Sequence, residues 1–482
     1  MNPLKNLFKQ TFIYGLATVL PRMLSFLLLP LYTDVMQTDA YGELSVIFAW
    51  FAIFNVILAY GMETAFFRFY NGQDNRKKVV STALLSILGT TLLFVALTLI
   101  FQGSIAEWAD KKKEYIGYAI FILALDALVI IPFAWLRANQ KAMRYAAIKL
   151  LNVAINLGLN FLFLWVLPRL ASGASVSWYQ PDYEIDYIFI AMLAASTVTF
   201  FLMSGHYFRR KLVFDKDIWR RMLQYAGPVL VAGLAFTINE VFDRILLERL
   251  LPPEVAESQV GMYSACYKLA LFMTLFATAF RLGIEPFFFS HYKTENPQRT
   301  YAQITNYFVI LGSIILLGVV VFSDVLKVMF ISNPDYWEAM DIVPLIVLAS
   351  FFLGVYHNLS VWYKVTDRTK FGAYISMIGA VLTIVINIAL IPYFGYMASA
   401  TATLVAYGSM MFLSFFFGSM YYPIPYNFRK IVFYMGLSIL FSMLSFYVFD
   451  RNIWVGSFLF LLFLGLVYRM ENERLRKIVL KK

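Results

Sequence analysis

Five basic residues interrupt apolar runs of the chain: Arg22, Arg68, Arg244, Lys268 and Arg281. A charge at the centre of a membrane helix costs about 3 kcal/mol on insertion scales, so it is kept where a partner, a wet cavity or an anionic ligand offsets the cost. Arginine suits an anion well, because its planar fork donates two parallel hydrogen bonds and stays charged. Arg22 sits in the middle of an apolar stretch from Thr11 to Tyr32 with no acid within a turn, which points it toward a cavity or ligand. Arg281 has Glu285 four residues on, and Arg244 follows Glu240 by four and Asp243 by one. A local ion pair on one helix face fits those two as well as a ligand role does. Arg68 and Lys268 are long enough to snorkel to an interface. The acids Glu63, Glu285, Glu240, Asp243 and Asp126 also fall at membrane depth. Carboxylates there carry protons or sodium, form gates, or pair with nearby arginines. Gate or packing roles fit Glu63 and Glu285 best, since they recur near the ends of their helices.

Catalysis and metal binding find no residues. There is one cysteine, Cys266, and the three histidines, His206, His291 and His357, are scattered. These read as packing or interface residues. No nucleophile–base pair and no phosphate-binding glycine loop occurs, so the chain is expected not to be an enzyme and to need no metal or cofactor.

The elements that must carry these charges are membrane helices. Of 482 residues, 61% are hydrophobic and 14% charged, against about 25% charged in soluble proteins. Apolar blocks of about 20 residues alternate with short polar loops. The pattern predicts an all-α polytopic membrane protein with about fourteen spans. The first runs over Thr11–Asp34, the second over Tyr41–Tyr70, the seventh over Ile218–Leu247 and the eighth over Gly261–Phe289. The last two, Ile431–Phe449 and Ile453–Tyr468, contain no charge. The N-terminus reads as a span and not as a cleaved signal, because its apolar run is long and lacks a small-residue cleavage site.

Sorting the 40 Lys and Arg by loop gives about 28, Arg137, Lys149 and Lys364 among them, on the side that holds both termini and about 7 on the other. Both termini are therefore expected in the cytoplasm of a multi-pass protein of the cell (inner) membrane. The net charge of +11 is then the inward surface, and no nucleic-acid partner is needed. The outer loop from Pro168 to Asp186 carries Trp178, Tyr179 and Tyr183, an interfacial aromatic belt in preference to a sugar platform.

The chain repeats itself. Laid over each other without a gap, the second and eighth spans match Tyr41 to Tyr263, Phe54 to Phe276, Gly61 to Gly283, Glu63 to Glu285, and Tyr70 to Tyr292. The shared pattern is G-x-E-x-x-F-F-x-x-Y. WLRANQKAMRY after the fourth span answers WYKVTDRTKFGAY after the tenth, and in the fifth and eleventh Asn156 answers Asn387. Six spans per copy is even, so the copies are parallel repeats, and sites in such proteins lie between the halves near the midplane. Expected domains are residues 1–211 and 212–420, two pseudo-symmetric six-helix bundles, and 421–482, the last two helices and a basic tail. Pro21, beside Arg22, and Gly227–Pro228 are repeat-related hinge candidates, with fixed kinks the alternative.

FIYGLATVLPRMLSFLLLPLYTDVMQTDAYGELS, GMETAFFRFY and RYAAIKLLNVAINLGLNFLF resemble the polysaccharide flippases of the multidrug/oligosaccharidyl-lipid/polysaccharide exporter superfamily. The resemblance spans essentially the whole chain through loose motifs. It implies two six-helix bundles plus two helices, with the last pair suited to face lipid and perhaps hold a long prenyl tail. It also implies export of a lipid-linked oligosaccharide, usually on undecaprenyl pyrophosphate, to the outer leaflet. Partners would be that glycan, membrane lipids and, as a further candidate, polysaccharide polymerase machinery. Under that resemblance Arg22 and Arg281 lead a pyrophosphate site, Arg68 is an entry contact, and Lys268 and Arg244 line it. Glu63, Glu285, Glu240 and Asp243 are then gate or ion-coupling candidates. The alternatives are a lipid II flippase and a multidrug or cation antiporter of the same superfamily.

Overall fold

The structure, a computed structural model, describes residues 26–72, 75–171, 179–208, 211–291 and 295–479. Among them, twelve helices are long and apolar enough to cross a membrane, so the chain is a multi-pass membrane protein. They are α2 (Thr38–Gly72), α3 (Arg76–Ile100), α4 (Lys113–Ala138), α5 (Ala142–Ala171), α6 (Glu184–Phe208), α8 (Pro253–Glu285), α9 (Pro297–Val321), α10 (Pro334–Val365), α11 (Lys370–Phe394), α12 (Tyr396–Tyr421), α13 (Phe428–Val448) and α14 (Ile453–Asn472). The remaining two of the fourteen predicted positions hold α1 (Leu28–Val35), and α7 (Lys216–Leu250), the longest unbroken helix.

The chain divides into two compact units, residues 1–245 and 246–482. In the first, α2 packs on α3 and α4, α3 on α4, α4 on α6, and α5 on α6. In the second, α8 packs on α9 and α10, α9 on α10, α10 on α12, and α11 on α12. These are the same five pairings six helices apart, so the sequence repeat is also a packing repeat. A short helix follows α3 (Gln102–Ala109) and another follows α9 (Ser323–Phe330). The last pair, α13 and α14, packs on α9 and is tied together by Lys430 and Tyr434, which both bond Glu471.

The copies differ where a helix breaks. In α2 the break is at Tyr60 and Gly61, both left-handed (φ 32° and 71°). In α8 a 3-10 turn at Lys268–Ala270 interrupts the helix, and Gly283, the counterpart of Gly61, lies in regular helix. Gly61 is forced by its surroundings: a Cβ there would lie 2.5 Å from the Ala226 carbonyl oxygen of α7. At Gly283 a Cβ meets nothing within 4 Å.

The opening turns of α7 belong to the core of the first unit. Met222 and Ala226 are buried with Met62 and Phe66 of α2 and Val79 and Ala83 of α3. Trp219 donates its indole N–H to Ser86 (2.8 Å), which also bonds the Tyr60 hydroxyl (2.8 Å). Asp215 caps the helix by accepting from the Ile218 N–H at 3.1 Å. That bond, with Lys78 at 3.2 Å, holds the Asp215 carboxyl below the usual carboxylate range.

Gly61→Ala should therefore destabilise the protein by about 1–3 kcal/mol through backbone strain and overlap with α7. Gly283→Ala should be neutral, or stabilising by up to about 1 kcal/mol, as for glycine in an open helix position. Thermal unfolding of the two variants in detergent compares them directly; equal effects would remove the case for a forced glycine at position 61.

Candidate functional site

The break in α2 creates a new helix start at Met62, and Glu63 occupies its first turn. An acid is favoured at a helix N-terminus and a base at a C-terminus. Arg137 stands in the last turn of α4, and the two meet at 2.6 Å. In the second unit Glu285 of α8 meets Lys364, in the last turn of α10, at 2.7 Å. Trp135–Arg137 and Trp362–Lys364 are the same W-x-[R/K] element of the repeat, so the two ion pairs are one interaction made twice. Around each the local bonding also repeats. Asn139 donates to the Trp135 carbonyl at 2.8 Å and Thr366 to the Trp362 carbonyl at 2.7 Å. All four charged side chains are partly exposed, at the ends that the charge bias assigns to the cytoplasm.

The same offset relates Asn160, not Asn156, to Asn387. Both are fully buried. Each donates to the carbonyl four residues back, Asn160 to Asn156 and Asn387 to Thr383. Each also accepts a hydroxyl, from Tyr32 and Ser399 respectively.

Arg281 does not pair with Glu285, although the two are one turn apart. Its Nη1 lies 3.4 Å from His357 Nε2 of α10. Because guanidinium only donates, Nε2 accepts and the ring proton sits on Nδ1. Arg281, Glu285, His357, Asn358, Ser360 and Lys364 line one small cavity. Among the described residues no carboxylate lies within 4.0 Å of Arg281.

The remaining predicted residues are placed apart from that cavity. Arg68 lies over the Tyr225 ring of α7, 4.3 Å from its centroid, a cation–π contact. Arg244 pairs with Asp243 at 3.0 Å and donates to the backbone carbonyl of Glu240 at 3.1 Å. The local Glu240–Arg244 ion pair does not form; Asp243 takes the guanidinium, while Glu240 lends its main chain and has an exposed side chain. Lys268 heads the 3-10 turn of α8 and is half-buried. Gly227 and Pro228 lie inside α7, which continues through them as helix. Arg22, Pro21 and Trp178 lie outside the described residues. Tyr179 stacks on Tyr187 (5.4 Å, 6°), and Tyr187 on Phe163 (5.2 Å), which anchors the outer loop to the first unit.

Arg137, Lys364 and Lys149 were assigned to loops by the hydropathy pattern but lie in helices. Lys149 Nζ is 4.4 Å from the Phe133 ring centroid, and Asp126 accepts from Ser196 at 2.8 Å. The signal that could have placed Arg137 and Lys364 was present: each follows a repeated Trp by two residues.

Residues 7–280 match the polysaccharide biosynthesis protein family, and residues 228–389 match the MatE family. A relative from Haemophilus influenzae, "Lsg locus putative protein 1", is 23% identical over 298 residues, 59% of this chain and 67% of its own. The fold is similar to that of lipid II flippase MurJ in an inward closed conformation. There the TM-score is 0.74 with 16% identity, covering 95% of this chain and 99% of that one. It is also similar to an inward-facing multidrug resistance MATE family transporter of the MOP superfamily, with TM-score 0.64 and 13% identity over 82% and 93% of the two chains. At these identities the likeness is one of fold.

Because Glu63 and Arg137 are both partly exposed, their pairing should be worth about 0.2–1 kcal/mol. A double-mutant cycle of Glu63→Gln and Arg137→Gln, read by thermal unfolding, should return a coupling in that range. Additive single effects would show that the contact contributes nothing.

Proposed function

The chain belongs to the polysaccharide biosynthesis protein family, and on that premise we propose that it flips a lipid-linked oligosaccharide, an undecaprenyl-pyrophosphate glycan, across the cell membrane. Transport runs from the cytoplasmic to the outer leaflet by alternating access of a cation-lined cavity between two six-helix halves, residues 1–211 and 212–420. Both termini face the cytoplasm. The protein moves its substrate without making or breaking covalent bonds, with polymerase machinery taking up the product.

The observation that carries this reading is Arg281: an arginine inside a membrane helix whose neighbour is an imidazole and not an acid. An uncompensated arginine in such a place is suited to an oxyanion. In this reading Arg22 shares the pyrophosphate, Arg68 is the entry contact, and Lys268 and Arg244 line the path. Glu63, Glu285, Glu240 and Asp243 serve as gate or coupling groups, and bending at Pro21 and Gly227–Pro228 exchanges the open states.

Export of an anion from a cell with a negative interior is favoured by about 2.3 kcal/mol per charge per 100 mV. The membrane potential then drives the cycle without a dedicated ion site. A cation antiporter would need carboxylates open to its cargo, whereas Glu63 and Glu285 are each held by a base. A lipid II flippase is the second reading, favoured by the fold it shares with MurJ.

Flipping of a fluorescent undecaprenyl-pyrophosphate glycan in proteoliposomes tests the proposal. Arg281→Ala and Arg22→Ala should each reduce the rate by at least about tenfold, the equivalent of one lost charge-assisted hydrogen bond, and lysine at either position should restore part of it. Normal flipping by both folded alanine variants would overturn the cationic-cavity mechanism. Preference for peptidoglycan precursor over other lipid-linked glycans would select the second reading.

A further inference from the structure

Glu285 is one helical turn from Arg281, close enough for a local pair, yet its carboxylate goes to Lys364 on the neighbouring helix. Arg281 turns instead to His357. A carboxylate on Arg281 would occupy the donors that an incoming phosphate needs. We infer that Arg281 and His357 form an oxyanion subsite for a diphosphate and that Lys364 is its positioning residue, keeping the subsite open by holding Glu285 away.

This rests on the proposed function, because it takes the diphosphate as ligand. It adds two residues that the sequence reading left aside, His357 as a packing histidine and Lys364 as a loop cation. The subsite is built from α8 and α10 only. Arg281 presents a fork with several donors, of which one faces the imidazole. A diphosphate oxygen displaces that weak, 3.4 Å contact, and His357 can turn a ring N–H toward the same anion.

The first unit supplies an internal control. It has the same ion pair, Glu63–Arg137, but Ala59 stands where Arg281 stands in the second copy, and Ile130 where His357 stands. The pair exists there without a subsite to guard. Its role is then mechanical.

The test is binding of undecaprenyl diphosphate to the full-length protein in detergent, followed by thermophoresis, with thermal unfolding as the fold check. Lys364→Gln should weaken binding by about tenfold, one charge-assisted hydrogen bond's worth, because Glu285 is released onto Arg281. The double variant Lys364→Gln with Glu285→Gln should recover wild-type affinity to within about threefold, since no carboxylate remains to close the subsite. His357→Ala should weaken binding. If the double variant binds as poorly as Lys364→Gln alone, Lys364 acts as a ligand or a brace and the positioning inference is wrong, while a loss of binding in Arg281→Ala keeps the transport reading standing. If Arg281→Ala binds like wild type, the subsite inference fails, and the transport reading then rests on Arg22.

Discussion

Hydrocarbon tolerates a buried charge only when something answers it, and most of this architecture is arranged around that requirement. The carboxylates and bases that reach into the helical bundles are answered across helices: Glu63 by Arg137, Glu285 by Lys364, Glu471 by Lys430. Arg68 rests on an aromatic ring, and Arg244 on its neighbour Asp243. Each of the first two pairs ties the helix bearing the G-x-E pattern to the end of the helix two further along. The adjacency of α2 with α4 and of α8 with α10 therefore has an electrostatic component as well as an apolar one. The apolar part is the larger: Met62, Phe66 and Val79 are wholly buried, while partly exposed ion pairs contribute little. What the pairs decide is which charges remain uncommitted.

The repeat makes that division visible. Both copies keep the acid, the base after a tryptophan, and the buried asparagine that bonds its own main chain. These are features that two bundles of the same topology require. The copies part where the requirement is local. Gly61 is pinned by the approach of Ala226, and Gly283 has open space. Tyr60 and Gly61 break α2, whereas α8 breaks near Lys268. Arg281 and His357 occur in the second copy alone.

Much of this was legible before the helices were seen. Hydropathy gave the fold class, because no other structure satisfies its backbone in lipid over runs this long. The in-register match of Gly61, Glu63 and Tyr70 to Gly283, Glu285 and Tyr292 exposed the repeat. Partner choice was less legible. Spacing alone left Arg281 with Glu285, a local contact, level with a ligand role; the structure pairs Glu285 with Lys364, far along the chain, because α10 ends beside that turn of α8. Hydropathy also blurs helix ends, so Arg137, Lys149 and Lys364 looked like loop cations when they close or line helices. Apolar segments of low complexity tolerate a one-turn slip, which puts Asn156 against Asn387; the Trp135–Trp362 offset and the hydrogen bonds both select Asn160.

The asymmetry between the copies fits the cargo proposed for the protein. A prenyl diphosphate glycan has one compact anion, with a lipid on one side and sugars on the other, and no two-fold symmetry. Two equivalent arginine subsites would present such a molecule with a choice of register, and the wrong choice would place sugar where lipid belongs. Specificity gains from removing the competing arrangement as well as from improving the right one. On the proposed function, the ion pair kept in both copies would be mechanical, and the Arg281–His357 subsite, present in one copy, would set the register of the cargo. On that reading symmetry would serve the movement of two similar bundles, and its local loss would serve the substrate.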